Sequence, residues 1–100
     1  MKIHVIAKRW FQKSFGNTYH SVKVYVDNEL LEYVPFAYGY DEQWQQTAHE
    51  ILMKHGYFKK TGECLESGAN KDYYEFTKWI REHREDYSYT VKDVDRKKDL

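Results

Sequence analysis

Five histidines, one cysteine and a few clustered carboxylates are the residues of this chain best equipped for chemistry. A zinc centre needs ligands brought together by short, regular spacings, such as two histidines four apart on one helix face. His4, His20, His49, His55 and His83 contain no such pair, and the interval from His49 to His55 turns the two to opposite faces of a helix. His4 and His20 sit near one another in a first hairpin, but their parity directs them to opposite faces of the sheet. Cys64 is the only cysteine, so neither an internal disulfide nor a cysteine-based zinc site can be completed. Its neighbours in Gly62-Glu63-Cys64-Leu65-Glu66 are acidic, which raises a thiol's pKa and blunts its reactivity. Glu82, Glu85 and Asp86 would suit a metal-dependent nuclease, yet they alternate with Lys78, Arg81 and Arg84 as a solvated helix face does. The chain has no G-x-S-x-G elbow, no Walker loop and no G-x-G-x-x-G. No enzyme activity, metal or cofactor is expected.

Tyrosine is the unusual component. The chain has ten Tyr, five Phe and three Trp, almost half of its hydrophobic content. Tyr19, Tyr25, Tyr33, Tyr38, Tyr40, Tyr87 and Tyr89 fall in or beside segments that read as strands, together with Trp10. The ordinary role of such residues is cross-strand packing on an exposed sheet. They are also large, stiff and amphipathic, the composition of interface hot spots. Beside Lys8, Arg9, Lys13 and Lys23 they would equally suit the stacking of single-stranded bases. A net charge of zero ranks a protein partner ahead of nucleic acid.

Alternation and periodicity supply the elements that must carry these residues. Ile3–Phe11 and Thr18–Asp27 alternate with period two, the second placing Val22, Val24 and Val26 opposite Tyr19, Ser21, Lys23 and Tyr25. Gly16 and Asn17 suit the turn between them, and Asp27-Asn28-Glu29 is a tight connection to a third strand over Leu30–Ala37. Pro35 makes that strand an edge, because proline cannot donate to an inner ladder. Trp44, Ala48, Ile51, Leu52 and His55 form the stripe of a helix over Glu42–His55, capped by Asp41 and closed by Gly56. After a loop over Lys59–Ala69, a second helix is predicted from Asn70 or Asp72 to His83 or Glu85. Asp72 and Glu75 have the spacing of a capping box there, and Tyr73, Phe76 and Ile80 line one face. Tyr87–Val94 alternates as a last strand, and the charged residues 95–100 are expected to fray. The fold class is α+β: an antiparallel sheet in the order β-β-β-α-α-β with two helices packed on one face, the valines turned toward them.

One hundred residues suffice for one domain, spanning 1–100. No apolar run approaches the roughly 20 residues of a membrane span, and residues 1–10 lack a signal peptide's apolar stretch. A cytoplasmic location follows as the expectation. Charge is unevenly spread: residues 1–25 carry five basic groups and no acid, residues 26–50 six acids and no base. Such blocks attract each other within a fold or steer a partner.

Lys8-Arg9-Trp10-Phe11, Gly16-Asn17-Thr18-Tyr19-His20-Ser21-Val22 and Val34-Pro35-Phe36-Ala37-Tyr38-Gly39-Tyr40 resemble a family of short uncharacterised bacteriophage proteins. The likeness covers roughly residues 1–55, through Gln45-Gln46-Thr47-Ala48. It implies a small non-enzymatic binding protein in the bacterial host cytoplasm, an inhibitor that occludes a host or defence-system protein, as anti-CRISPR proteins do. Trp10, Tyr19, Tyr25 and Tyr33 are the expected partner-binding anchors, with Arg9 and Lys13 steering. The alternatives are a single-stranded nucleic-acid-binding accessory protein using the same face, and a structural homodimer joined through it.

Overall fold

A computed structural model describes residues 1–100. The alternating segments form β1 (Ile3–Gln12), β2 (Asn17–Val26), β3 (Glu29–Tyr38) and β4 (Tyr87–Val94), and the amphipathic ones form α1 (Gln43–Lys54) and α2 (Lys71–Glu82). Each element lies within a residue or two of its sequence-based range, the second helix ending at Glu82, one residue short of the nearer expected end. β1 and β2 pair antiparallel without interruption from Ile3 opposite Val26 to Gln12 opposite Asn17. Asp27 and Asn28 both have positive φ, 50° and 71°, the backbone of a two-residue type I′ hairpin. That turn matches the natural twist of the strands it joins, and Asp and Asn tolerate it better than most residues.

The valine face meets the helices. Val22, Val24 and Val26 join Ile3, Val5 and Ala7 from β1, Trp44, Ala48, Ile51 and Leu52 from α1, and Phe76 from α2 in one buried cluster. Each large member contributes about 1.5–3 kcal/mol by leaving water. Pro35 sits in an edge strand, as its chemistry requires: the strand order is β3-β2-β1-β4.

The sheet is mixed, and here the expectation of a purely antiparallel sheet fails. β4 runs parallel to β1, from Tyr87 beside Ile3 to Val94 beside Trp10. The reason lies in the helices, which do not form a simple hairpin. Thr47 of α1 bonds to His20, while Lys54 and His55 reach Glu32, so α1 runs back toward the start of β3. The connection over 55–70 then returns alongside α1, bringing Asn70 and Tyr73 beside Gln46 and His49. From there α2 retraces the direction of α1, and Trp79 packs against Phe58, just beyond the end of α1. The chain is thereby delivered to the end of the sheet where β1 begins, so β4 can only lie parallel to it.

Three local expectations are also corrected. Asp41 does not cap α1; its φ is 56°, and Glu42 takes the cap position without a side-chain bond. Asp72 and Glu75 form no capping box. Asn70 caps α2 by accepting a hydrogen bond from the Tyr73 amide at 2.8 Å. The Asp72 carboxylate instead accepts from the Thr61 and Gly62 amides and the Thr61 hydroxyl, fastening the preceding loop to the helix. Residues 95–100, expected to fray, fold back onto the sheet through a single turn at Lys97–Asp99.

Candidate functional site

Strand parity assigns one face of the sheet to the helices and leaves the other without a covering layer of secondary structure. From β1 that free face receives His4, Ile6, Lys8 and Trp10, and from β2 Tyr19, Ser21, Lys23 and Tyr25. From β4 it receives Ser88, Thr90, Lys92 and Val94. β3 supplies Leu30 and Tyr33, which share the face because the pairing with β2 first slips between Val24 and Tyr25, and it departs from alternation a second time further on. Its pairing with β2 slips between His20 and Val22, a bulge at Pro35–Phe36 that turns Phe36 and Tyr38 to the same side as Tyr19.

The result is a row of rings across three strands. Trp10 and Tyr19 lie 5.8 Å apart between centroids with planes 26° apart. Tyr19 and Phe36 follow at 4.6 Å and 18°. Tyr38 meets Tyr19 edge-on at 5.5 Å. Offset stacks and edge contacts of this kind are the geometries that aromatic quadrupoles favour. Tyr19 is therefore held on both sides, while Phe36 keeps an outer ring face and is 43% exposed. Tyr33 lies under the Lys23 ammonium at 5.2 Å, and Tyr25 packs against His4 at 6.3 Å, which bonds through Nδ1 to Ser88.

Charge on this face is of one sign. Its strand residues include Lys8, Lys23 and Lys92 and no carboxylate. Lys8 and Lys92 are register partners on adjacent strands, so two like charges stand side by side. The acids of β3 and β4 are drawn away: Glu32 bonds to His55 and Lys54 on the helix side, and Asp93 to Arg9. The basic and acidic sequence blocks expected to attract each other share no ion pair; the pairs formed are Arg9–Asp93, Glu32 with Lys54 and His55, Glu63–Lys71 and Arg96–Asp99.

Residues 95–100 bring two further acids, Asp95 and Asp99, to the edge where Asp93 already stands. The Lys97 ammonium sits 4.7 Å from the centroid of Phe36, over its outer face. The Tyr33 hydroxyl donates to the Leu100 carbonyl at 3.3 Å. Between this strap and the sheet lies an open cavity of about 530 Å³, bordered by Lys8, Lys92 and Asp93 from the strands and by Asp95, Lys98 and Asp99 from the strap.

Of the residues singled out from sequence, Trp10, Tyr19, Tyr25 and Tyr33 all stand on this face. Arg9 does not. It turns to the helix side, where its guanidinium pairs with Asp93 at 2.8 Å and donates to the Asp41 carbonyl at 3.2 Å. Lys13 lies exposed in the β1–β2 turn, beyond the ring row. Lys92, Lys97, Phe36 and Tyr38 join the face without having been picked out as anchors. Lys8 shares its parity with Trp10 and was legible; the others need the β1–β4 register, the bulge or the folded strap.

The histidines serve the interior. His20 is buried, and its Nδ1 donates to the Gly39 carbonyl while Nε2 accepts from the Thr47 hydroxyl. Burial lowers its pKa despite the bond to Gly39, which favours the charged form. His49 is buried against Phe76, and burial pulls its pKa down to about 4 against the pull of Asp72. No three His, Cys, Asp or Glu side chains converge on a point, and Cys64 is exposed.

No helix is long and apolar enough to cross a membrane. No protein-family model matches the chain, and neither a curated protein nor a solved structure matches it.

Proposed function

We propose that this protein is a non-enzymatic binding protein that engages its partner through the free face of the sheet and acts by occupying the surface it covers. The observation that carries this reading is the Trp10–Tyr19–Phe36 row, three rings aligned on a face that no helix covers. Rings held by one another lose little conformational freedom when a partner arrives, which favours affinity. Tyr33, Tyr38 and Phe36 are each at least 40% exposed, a surplus of aromatic surface that a lone sheet does not need. The resemblance to short bacteriophage proteins supports a setting in the bacterial cytoplasm and a role as a blocker of host or defence machinery.

The test is capture from bacterial lysate with tagged wild-type protein, followed by identification of what is retained. Tyr19→Ala and Phe36→Glu should each abolish retention while circular dichroism stays unchanged. Glu75→Ala, on the exposed side of α2, should leave retention intact. A partner held equally by all four proteins would contact some other surface, and the reading would be wrong.

A further inference from the structure

The rings and lysines of the free face fit one kind of partner, and residues 95–100 imitate it. We infer that the face takes a single-stranded nucleic acid, and that the strap over residues 95–100 is a built-in competitor for the same positions. This rests on the free face being the contact surface.

Three observations converge. First, the strand residues on the free face include lysines and no carboxylate, although the molecule as a whole is neutral. With the strap included, six basic groups (Lys8, Lys23, Lys92, Arg96, Lys97 and Lys98) face two acidic ones, Asp95 and Asp99. The rest of the molecule carries the balancing negative charge, so neutrality conceals a cationic layer of the sort that tracks a phosphate backbone.

Second, Lys8 and Lys92 stand side by side with no carboxylate within ion-pairing distance of either. Two ammonium groups so placed repel unless an anion lies between them. The open cavity beside them has room for a phosphate; Asp93, whose carboxylate is paired with Arg9, also borders it, and the strap adds Asp95 and Asp99. The strap thus sets carboxylates near the place where a phosphate would be neutralised.

Third, Lys97 occupies the outer face of Phe36, the end of the ring row. A base stacks on such a face irrespective of its identity. The strap fills it with a cation instead, and otherwise holds to β3 by one bond to Tyr33. A strap fastened so lightly can be exchanged for a ligand that offers a base to Phe36 and phosphates to the lysines together.

Fluorescence anisotropy with a labelled oligothymidylate of about 15 nucleotides tests this on the full chain. Binding is expected at about 50 mM salt, weakening roughly 20-fold by about 200 mM if three strand lysines neutralise phosphates. Lys8→Ala with Lys92→Ala should weaken binding and flatten the salt dependence, and Phe36→Ala should weaken it without changing that slope. Asp95→Asn with Asp99→Asn should tighten binding severalfold, and by more than Glu50→Gln with Glu75→Gln, which changes net charge equally on the helix side. Equal tightening by the two pairs would remove the competitor role. No binding by any variant at low salt would overturn the choice of partner. If the capture experiment then still yields a protein lost on Tyr19→Ala, the free face remains the contact surface and the inference of nucleic acid alone falls.

Discussion

The imidazole of His49 lies flat on the ring of Phe76, centroids 4.7 Å and planes 9° apart, joining α1 to α2 inside the core. Burial holds its pKa near 4, below the ordinary 6.5, so the folded protein resists protonation there while the unfolded chain does not. The stabilising contribution is complete above pH 6.5, declines as pH falls through that value, and is exhausted near pH 4. It amounts to at most about 3 kcal/mol, and His20, lowered in the same direction, adds to it. Urea unfolding at pH 7.5 and 5.0 should show lower stability at pH 5.0, and His49→Leu should reduce the difference. Identical stability at the two values would mean that neither imidazole is held neutral by the fold.

Phe76 is the single fully buried apolar residue of α2, and it touches Phe58, Tyr73, Tyr87 and His49. Phe76→Ala should cost about 3–5 kcal/mol, a large share of the roughly 5–15 available to a domain. Chemical denaturation gives the number. A loss below about 1 kcal/mol would show that α2 is not anchored here.

Asn70, and not Asp72 with Glu75, closes the first turn of α2. Asn70→Ala should therefore destabilise by about 1 kcal/mol, Asn70→Asp much less. Glu75→Ala on the exposed surface should stay within about 0.5 kcal/mol. The reverse ranking in equilibrium unfolding would restore the capping box.

Asn28 occupies the left-handed region at the tip of the β2–β3 hairpin. Asn28→Gly should be neutral or slightly stabilising, whereas Asn28→Val should cost about 1–2 kcal/mol through the clash of its branched side chain. Thermal unfolding separates the two, and a tolerated valine would mean a different turn in solution.

Element identities were legible because each segment states its period plainly: Val22, Val24 and Val26 against Tyr19 and Tyr25, and Trp44, Ala48, Ile51 and Leu52 at helical intervals. The direction of β4 was not, since it depends on where the loop over 55–70 leaves the chain, and no local pattern encodes that path. Parity alone carried Trp10, Tyr19 and Tyr25 to one face correctly, whereas Tyr33 joins them because the pairing of β3 with β2 slips between Val24 and Tyr25. The same parity turns Arg9 away, a consequence of its sitting beside Lys8 in an alternating strand. Phe36 reaches the ring row through a bulge, which inserts a residue and reverses the count at Pro35. The strap was read as a frayed tail from its charges, yet one of those charges, Lys97, rests on Phe36, the Tyr33 hydroxyl bonds to Leu100, and Arg96 pairs with Asp99 within the strap's own turn.

β1 holds one neighbour that follows it at once and another that arrives only after both helices are made. The meander of β1, β2 and β3 needs short loop closures, whereas joining Ile3 to Tyr87 closes nearly the whole chain. Assembly should accordingly proceed in two stages, with β4 docking last and detaching first. Native-state amide exchange offers the check, since the amides of Thr90 and Lys92, which face β1, should open at lower denaturant than those of Ile6 and Lys23, which join β1 to β2. A single shared opening energy for all four amides would mean that the sheet closes in one step.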